Sequence, residues 1–190
     1  MGLLDFLSLN KNAPDLTPAY TAIMAQARKP DHYGAGGVPD SFDGRFDMLA
    51  IHVHLVLRRL RSEGVARDDI GQALFDMFFR DMDQAMREAG VGDMGVGKKV
   101  QKMVEAFYGR ATAYDAALDA DAGDMASGLY DILSRNLYPD AALSVQHETA
   151  LKALADYALG LETHLASVTL EDIVSGRGFE TAPIVKVAHG

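Results

Sequence analysis

Apolar residues recur three and four positions apart along most of this chain, which is the spacing of amphipathic helices. The most informative stretch is 45–62. At about 100° per residue, Phe46, Leu49, Ala50, Val53, Val56, Leu57 and Leu60 fall on one face. Met48, Ile51 and Leu55 form a second apolar face roughly opposite. Two polar stripes separate the faces, Arg45, His52 and Arg59 on one side and Asp47, His54, Arg58 and Arg61 on the other. A helix that is apolar on two sides packs on two sides, so this segment is expected at the centre of the fold.

Other segments repeat the pattern. In "LTPAYTAIMAQARKP" Thr17 reads as an N-cap and Pro18 as the first helical residue, with a stop before Pro30. The loop "DHYGAGGVPDSFDG", 31–44, follows; a loop this long in a compact domain is either functional or pinned by its own side chains. Over 68–89, Ile70, Ala73, Leu74, Met77, Phe78, Met82 and Ala85 build a core face with Asp81 and Glu88 on its edge. A carboxylate at a core edge needs a cation, and Arg45 and Arg59 are the natural candidates. Helices are predicted over 96–119, 124–137 and 142–167, then a short one opened by Thr169 and Asp172 in "TLEDIVSG". The tail "RGFETAPIVKVAHG" has Phe179 as its apolar anchor, and "APIVKV" is the one candidate strand. The expected architecture is all-α: a single-domain bundle of about six or seven helices around the central one. Residues 1–16 read as an N-terminal arm, 17–176 as the helical domain and 177–190 as a C-terminal tail.

The stretch "GVGDMGVGKKV", 90–100, imitates two phosphate-loop patterns through Gly90, Gly92, Gly95, Gly97 and Lys98. A phosphate loop needs a buried strand before it and a helix after it. Here an amphipathic helix precedes the glycines, and Lys99 stands where magnesium coordination requires Ser or Thr. The better reading is punctuation: Gly90 ends one helix in the left-handed conformation and Asp93 caps the next. Other searches for chemistry are equally thin. His52 and His54 are two apart on a helix and diverge, as do Asp81 and Asp83, and Glu162 and His164 form no chelating pair. No nucleophile motif occurs. Neither catalytic residues, a metal site nor a cofactor is assigned.

Composition narrows the classes further. The 190 residues are 48% hydrophobic and 24% charged, an ordinary balance for a globular protein. The net charge of −9 disfavours general binding to DNA or anionic lipid, leaving only local basic patches for such contacts. Cysteine is absent, which excludes disulfides and thiolate chemistry. No apolar run approaches a membrane span, and "MGLLDFLSLNKN" lacks the basic start of a signal peptide.

Three stretches, in this order, carry a resemblance: "QARKPDHYGAGGVPDSFDGRFDMLAIHVHLVLRRL", "LFDMFFRDMDQAMREAGVGDMGVGKKVQKM" and "AFYGRATAY". Their most specific parts are Val38-Pro39-Asp40, Gly44 to Asp47, Arg58 to Leu60, Asp81 to Asp83, Arg87-Glu88 and Gly90 to Asp93. Over residues 18–160 the chain resembles the ubiquinol–cytochrome c reductase chaperone family, the assembly factors of respiratory complex III. The resemblance implies a helical, non-enzymatic protein that binds apo-cytochrome b or another complex III subunit. It implies contact with the ribosome exit region or a membrane surface, and a small helical partner protein. The chain lacks the long targeting extension of mitochondrial members, so a bacterial, alphaproteobacterial and cytoplasmic protein is expected, with a peripheral place at the inner membrane as the further option.

A chaperone surface needs exposed, adaptable area, for which Met is suited. The candidate partner-binding residues are Val38, Pro39 and Asp40 on the long loop, Met94 on the glycine turn, and Lys98, Lys99 and Lys102 one turn further on. Arg45, Asp47, Asp81, Arg87, Glu88 and Asp93 are expected to form one ion-pair network. It would fix the 31–44 loop and the 90–97 turn on a single face. The alternative function is a helical quinone- or haem-handling protein or enzyme, with a pocket lined by His52, Tyr108 or Tyr114.

Overall fold

The computed structural model describes residues 15–34, 36–64, 70–139 and 141–185, with Met94 described in its backbone alone. Most of the proposed 1–16 arm, the start of the helix expected from 68, and the last residues of the tail lie outside the described residues. Among the described residues seven α-helices follow one another: α1 (Thr17–Ala27), α2 (Phe42–Ser62), α3 (Gln72–Glu88), α4 (Asp93–Leu118), α5 (Met125–Leu137), α6 (Val145–Ser167) and α7 (Leu170–Val174). Short 3₁₀ turns occupy Pro30–His32 and Arg177–Phe179. The fold is an all-α bundle. Its β-type pairing among the described residues is one isolated bridge between Tyr33 and Val38. The "APIVKV" segment is not a strand over 182–185, and no helix among the described residues is long and apolar enough to cross a membrane.

Helix α2 is the axis, packed against α1, α3, α4, α5 and α6. Every residue from Phe46 to Val56 is buried, so Asp47, His52 and His54 of the polar stripes go inside with the apolar faces, while Arg45 and Arg61 stay exposed. The helix begins at Phe42, earlier than the predicted 45, because the Ser41 hydroxyl accepts the Gly44 N–H at 3.1 Å and holds the first turn. The aromatic side chains of α2, α3 and α4 interlock beside it, with Phe46 stacked on Phe78 at 5.8 Å and Phe107 edge-on to Phe75 at 5.6 Å.

Helix ends follow local chemistry. Thr17 is not the N-cap of α1 but its first residue, and the Asp15 carboxylate accepts its N–H at 2.9 Å. Gly90 takes φ +83° after α3. Its N–H reaches the Arg87 carbonyl at 2.9 Å and the Val91 N–H the Met86 carbonyl at 3.0 Å, the Schellman arrangement. Asp93 begins α4 without capping it; Gly92 holds the cap position. Helix α6 starts at Val145, later than predicted, where Ser144 and His147 exchange capping hydrogen bonds. Thr169 caps α7 as expected. In the tail both Phe179 and Val185 are buried, and the Gln26 side chain donates to the Pro183 carbonyl at 2.6 Å.

Candidate functional site

The 31–44 loop is a strap pinned along its length. The Tyr33 hydroxyl donates to the Ala27 carbonyl at 3.0 Å. The Val38 N–H donates to the His32 carbonyl at 2.9 Å, the Tyr138 hydroxyl donates to the Gly37 carbonyl, and Arg45 pairs with Asp40 at 2.7 Å. Gly44 is required here: a Cβ would lie 2.1 Å from the Pro39 carbonyl oxygen. The V-P-D and G-R-F-D motifs are thus one device that closes the strap on the first turn of α2. Val38 is only 1% exposed. As a contact residue it is corrected: its side chain is core, because the strap folds inward to cover α2. Pro39 is half-buried and Asp40 exposed.

Beneath the strap lies a closed polar node. The His52 Nδ1–H donates to the Met48 carbonyl at 2.6 Å, which leaves Nε2 to accept from the Tyr157 hydroxyl at 2.6 Å. That hydroxyl in turn accepts from the Gln26 amide at 3.0 Å. His32 Nε2–H donates to the Gln26 carbonyl at 2.8 Å and its ring lies 4.8 Å from that of Tyr157. Burial is the main cause of every shift here: it drives His52 down to about 3, lowers His32 and raises Tyr157. The node is neutral, and His52, Tyr157 and Gln26 are hydrogen-bonded within it, while His32 Nδ1 is buried without a partner among the described residues. It joins α1, the strap, α2 and α6. His52 is fully buried with both ring nitrogens engaged. Tyr114 is also fully buried, against His54, and Tyr108 is half-exposed beside Phe75 and Phe107. These three residues do not form one pocket lining.

The expected six-residue ion-pair network is corrected to separate pairs. Arg45 goes to Asp40. Asp47 pairs with Arg110 on α4. Asp81 accepts the Tyr20 hydroxyl at 3.1 Å and lies 3.7 Å from Arg28. Glu88 accepts from Gln84 at 2.9 Å. Only Arg87 and Asp93 meet as foreseen, with Asp83 joining them. The reason is orientation: the acidic edge of α3 reaches α1 rather than α2. Arg59 is held elsewhere, by the Leu165 and Val168 carbonyls and by Glu63. Asp47 is 2% exposed, and burial raises its pKa despite Arg110.

Sequence reasoning missed a second cluster, in which Asp115 on α4 accepts from Arg58 at 3.1 Å and Arg61 at 3.0 Å and lies 3.1 Å from His54. Burial drives His54 down to about 4. The signal was present as Asp115 and Asp119, four apart on one helix edge.

What remains accessible is on the surface. Lys98, Lys99 and Lys102 are exposed on α4 and make no ion pair among the described residues. The Met94 side chain lies outside the described residues. No hydrogen bond or ion pair among the described residues links the strap to the 90–97 turn. The structure brings together other members of the two regions: Lys102 and Asp43 line one open cleft of about 420 Å³ with Phe46, Met103 and Arg110. Another, of about 650 Å³, opens between Arg28, Tyr33, Asp40 and Arg45. A third, of about 360 Å³, lies over Arg58, Arg59 and Arg61. His52, Tyr108 and Tyr114 line none of these three. Among the described residues no group of three or more His, Asp or Glu side chains converges to hold a metal.

These features define the class of an all-α helical bundle, with a buried polar centre and clefts that open at the surface. Residues 35–180 match the family model of the ubiquinol-cytochrome C chaperones, and the chain belongs to that family. The crystal structure of the Cbp3 homolog from Brucella abortus superposes with a TM-score of 0.72 at 34% identity, covering 92% of this chain and 90% of that one. The chain is also 22% identical over 167 residues to ubiquinol-cytochrome c reductase complex assembly factor 1 of mouse and of human. It spans about half the length of these curated relatives, 54% of each, while 88% of it is covered.

Proposed function

We propose that the protein is an assembly chaperone, acting without catalysis, that binds newly made cytochrome b and promotes biogenesis of respiratory complex III. The observation that carries this reading is the family match over residues 35–180, which contains the whole of α2 to α7. The closed centre supports it. His52 has both ring nitrogens engaged, Tyr114 is packed in the core and Tyr108 lies at the surface, so the three do not converge on one ligand pocket, which weakens the ligand-handling reading. The contact surface in this reading comprises Pro39, Asp40, Met94, Lys98, Lys99 and Lys102, with the buried Val38 as the internal anchor of the strap. The same basic face suits the negatively charged ribosome exit region or membrane surface, or an acidic patch on a small helical partner. The protein then works in the cytoplasm or at the periphery of the inner membrane.

Deleting the gene from the source organism tests the reading. Cytochrome b and assembled complex III, followed by reduced-minus-oxidised spectra and native electrophoresis, are expected to fall to a small residue while other respiratory complexes persist. Full complex III in the deletion strain would overturn the proposal.

A further inference from the structure

Helices α2, α4 and α5 leave a cleft of about 420 Å³ between them. Its apolar part is Phe46, Met103, Ala106 and Pro139. Its charged part is uneven. Arg110 is balanced by the buried Asp47, and its guanidinium lies 5.3 Å over the Phe46 ring. Asp43 sits in the first turn of α2, where the exposed N–H groups stabilise a carboxylate. Lys102 and Arg135 are both exposed and are engaged in no ion pair among the described residues. The Asn136 Nδ2 group is buried in the wall and faces the Tyr114 hydroxyl. A molecule with 27 acidic and 18 basic side chains thus keeps two cations, unpaired among the described residues, beside an apolar cleft.

We infer that this cleft docks a polypeptide segment in which an aliphatic side chain stands next to a carboxylate. The aliphatic group covers Phe46, Met103 and Ala106, and the carboxylate meets Lys102 and Arg135. Charge complementarity selects an anion. The concave apolar lining selects a chain that carries both groups over a flat lipid headgroup layer. The inference rests on the reading of the protein as a binder of an unassembled polypeptide, and it names what that binder recognises.

The test uses the full chain and two fluorescein-labelled peptides. One carries Leu-Asp-Leu-Glu between glycine and serine flanks; the other has Leu-Asn-Leu-Gln in the same frame. Fluorescence anisotropy is expected to show at least tenfold weaker binding of the second peptide. The variant K102E/R135E is expected to lose binding of the first by a similar factor, while K152E, at an exposed lysine on α6, retains it. A second variant, Ala106→Phe, fills the cleft without changing charge and is expected to weaken the first peptide as well; circular dichroism verifies that each variant is folded. Equal binding of the two peptides, or unchanged binding by K102E/R135E and by Ala106→Phe, would overturn the inference. So would sedimentation with phosphatidylglycerol vesicles that depends on Lys102 and Arg135 while neither peptide binds. Because the gene deletion does not depend on these residues, a lost complex III beside failed peptide binding would sink this inference alone.

Discussion

The strap over α2 and the basic face of α4 both come from glycine- and charge-rich stretches, yet the fold treats them oppositely. In the strap, polar and small residues are consumed internally. Val38 and His32 are buried, Gly44 lets Pro39 approach, and Asp40 is tied to Arg45. On α4, Lys98, Lys99 and Lys102 stay exposed and unpaired among the described residues. A specific sequence motif can therefore mark a structural clasp, while an unremarkable run of lysines marks the accessible surface.

The comparison can be broken most sharply at the buried polar sites. Replacing Arg110 with Ala strands the Asp47 carboxylate and is expected to cost about 3–5 kcal/mol, read from urea unfolding. The sign with pH is distinctive. A carboxyl whose folded pKa is raised penalises the fold at neutral pH and less as pH falls. The deficit of Arg110→Ala should therefore shrink toward acid. Gly44→Ala drives a methyl into the Pro39 carbonyl and is expected to cost roughly 2–4 kcal/mol by the same measurement. Tyr157→Phe removes the partner of both His52 and Gln26, for about 1–3 kcal/mol.

Two of the three buried histidines, His52 and His54, sharpen the comparison through pH. Both are neutral in the fold, with His52 driven to about 3 and His54 to about 4 from 6.5. The unfolded chain takes up these protons first, so their contribution is complete above pH 6.5 and is lost as pH falls toward 4 and 3. Urea midpoints should drop steadily from pH 7 to pH 4.5, and His52→Gln with His54→Gln should flatten that slope. The smallest stability effect belongs to the other region. Lys98→Glu and Lys99→Glu should shift stability by no more than about 0.5 kcal/mol, read from the same urea curves.

Much of the fold was legible because periodicity is local. The two-sided pattern of 45–62 located the central helix, Gly90 the end of α3 and Thr169 the cap of α7. The site was less legible because partners are chosen by tertiary geometry. Asp47 is adjacent in pattern to Arg45, but its cation is Arg110, on another helix. Val38 sits in a glycine-rich loop that reads as surface, and only the closure of that loop on α2 makes it core. Tyr157 and Gln26 carry no sequence signal of their own; nothing in the spacing of their helices announces that they meet at His52.

The central claim is that the α4 face, and not the strap interior, meets the unassembled cytochrome b. Photoreactive residues placed at Lys102 and at Val38, in cells of the source organism, test it directly. The account predicts a crosslink to cytochrome b from position 102 and none from position 38, and its disappearance when complex III genes are silent. Cytochrome b captured from position 38 and not from 102, or no complex III subunit from either, would contradict it.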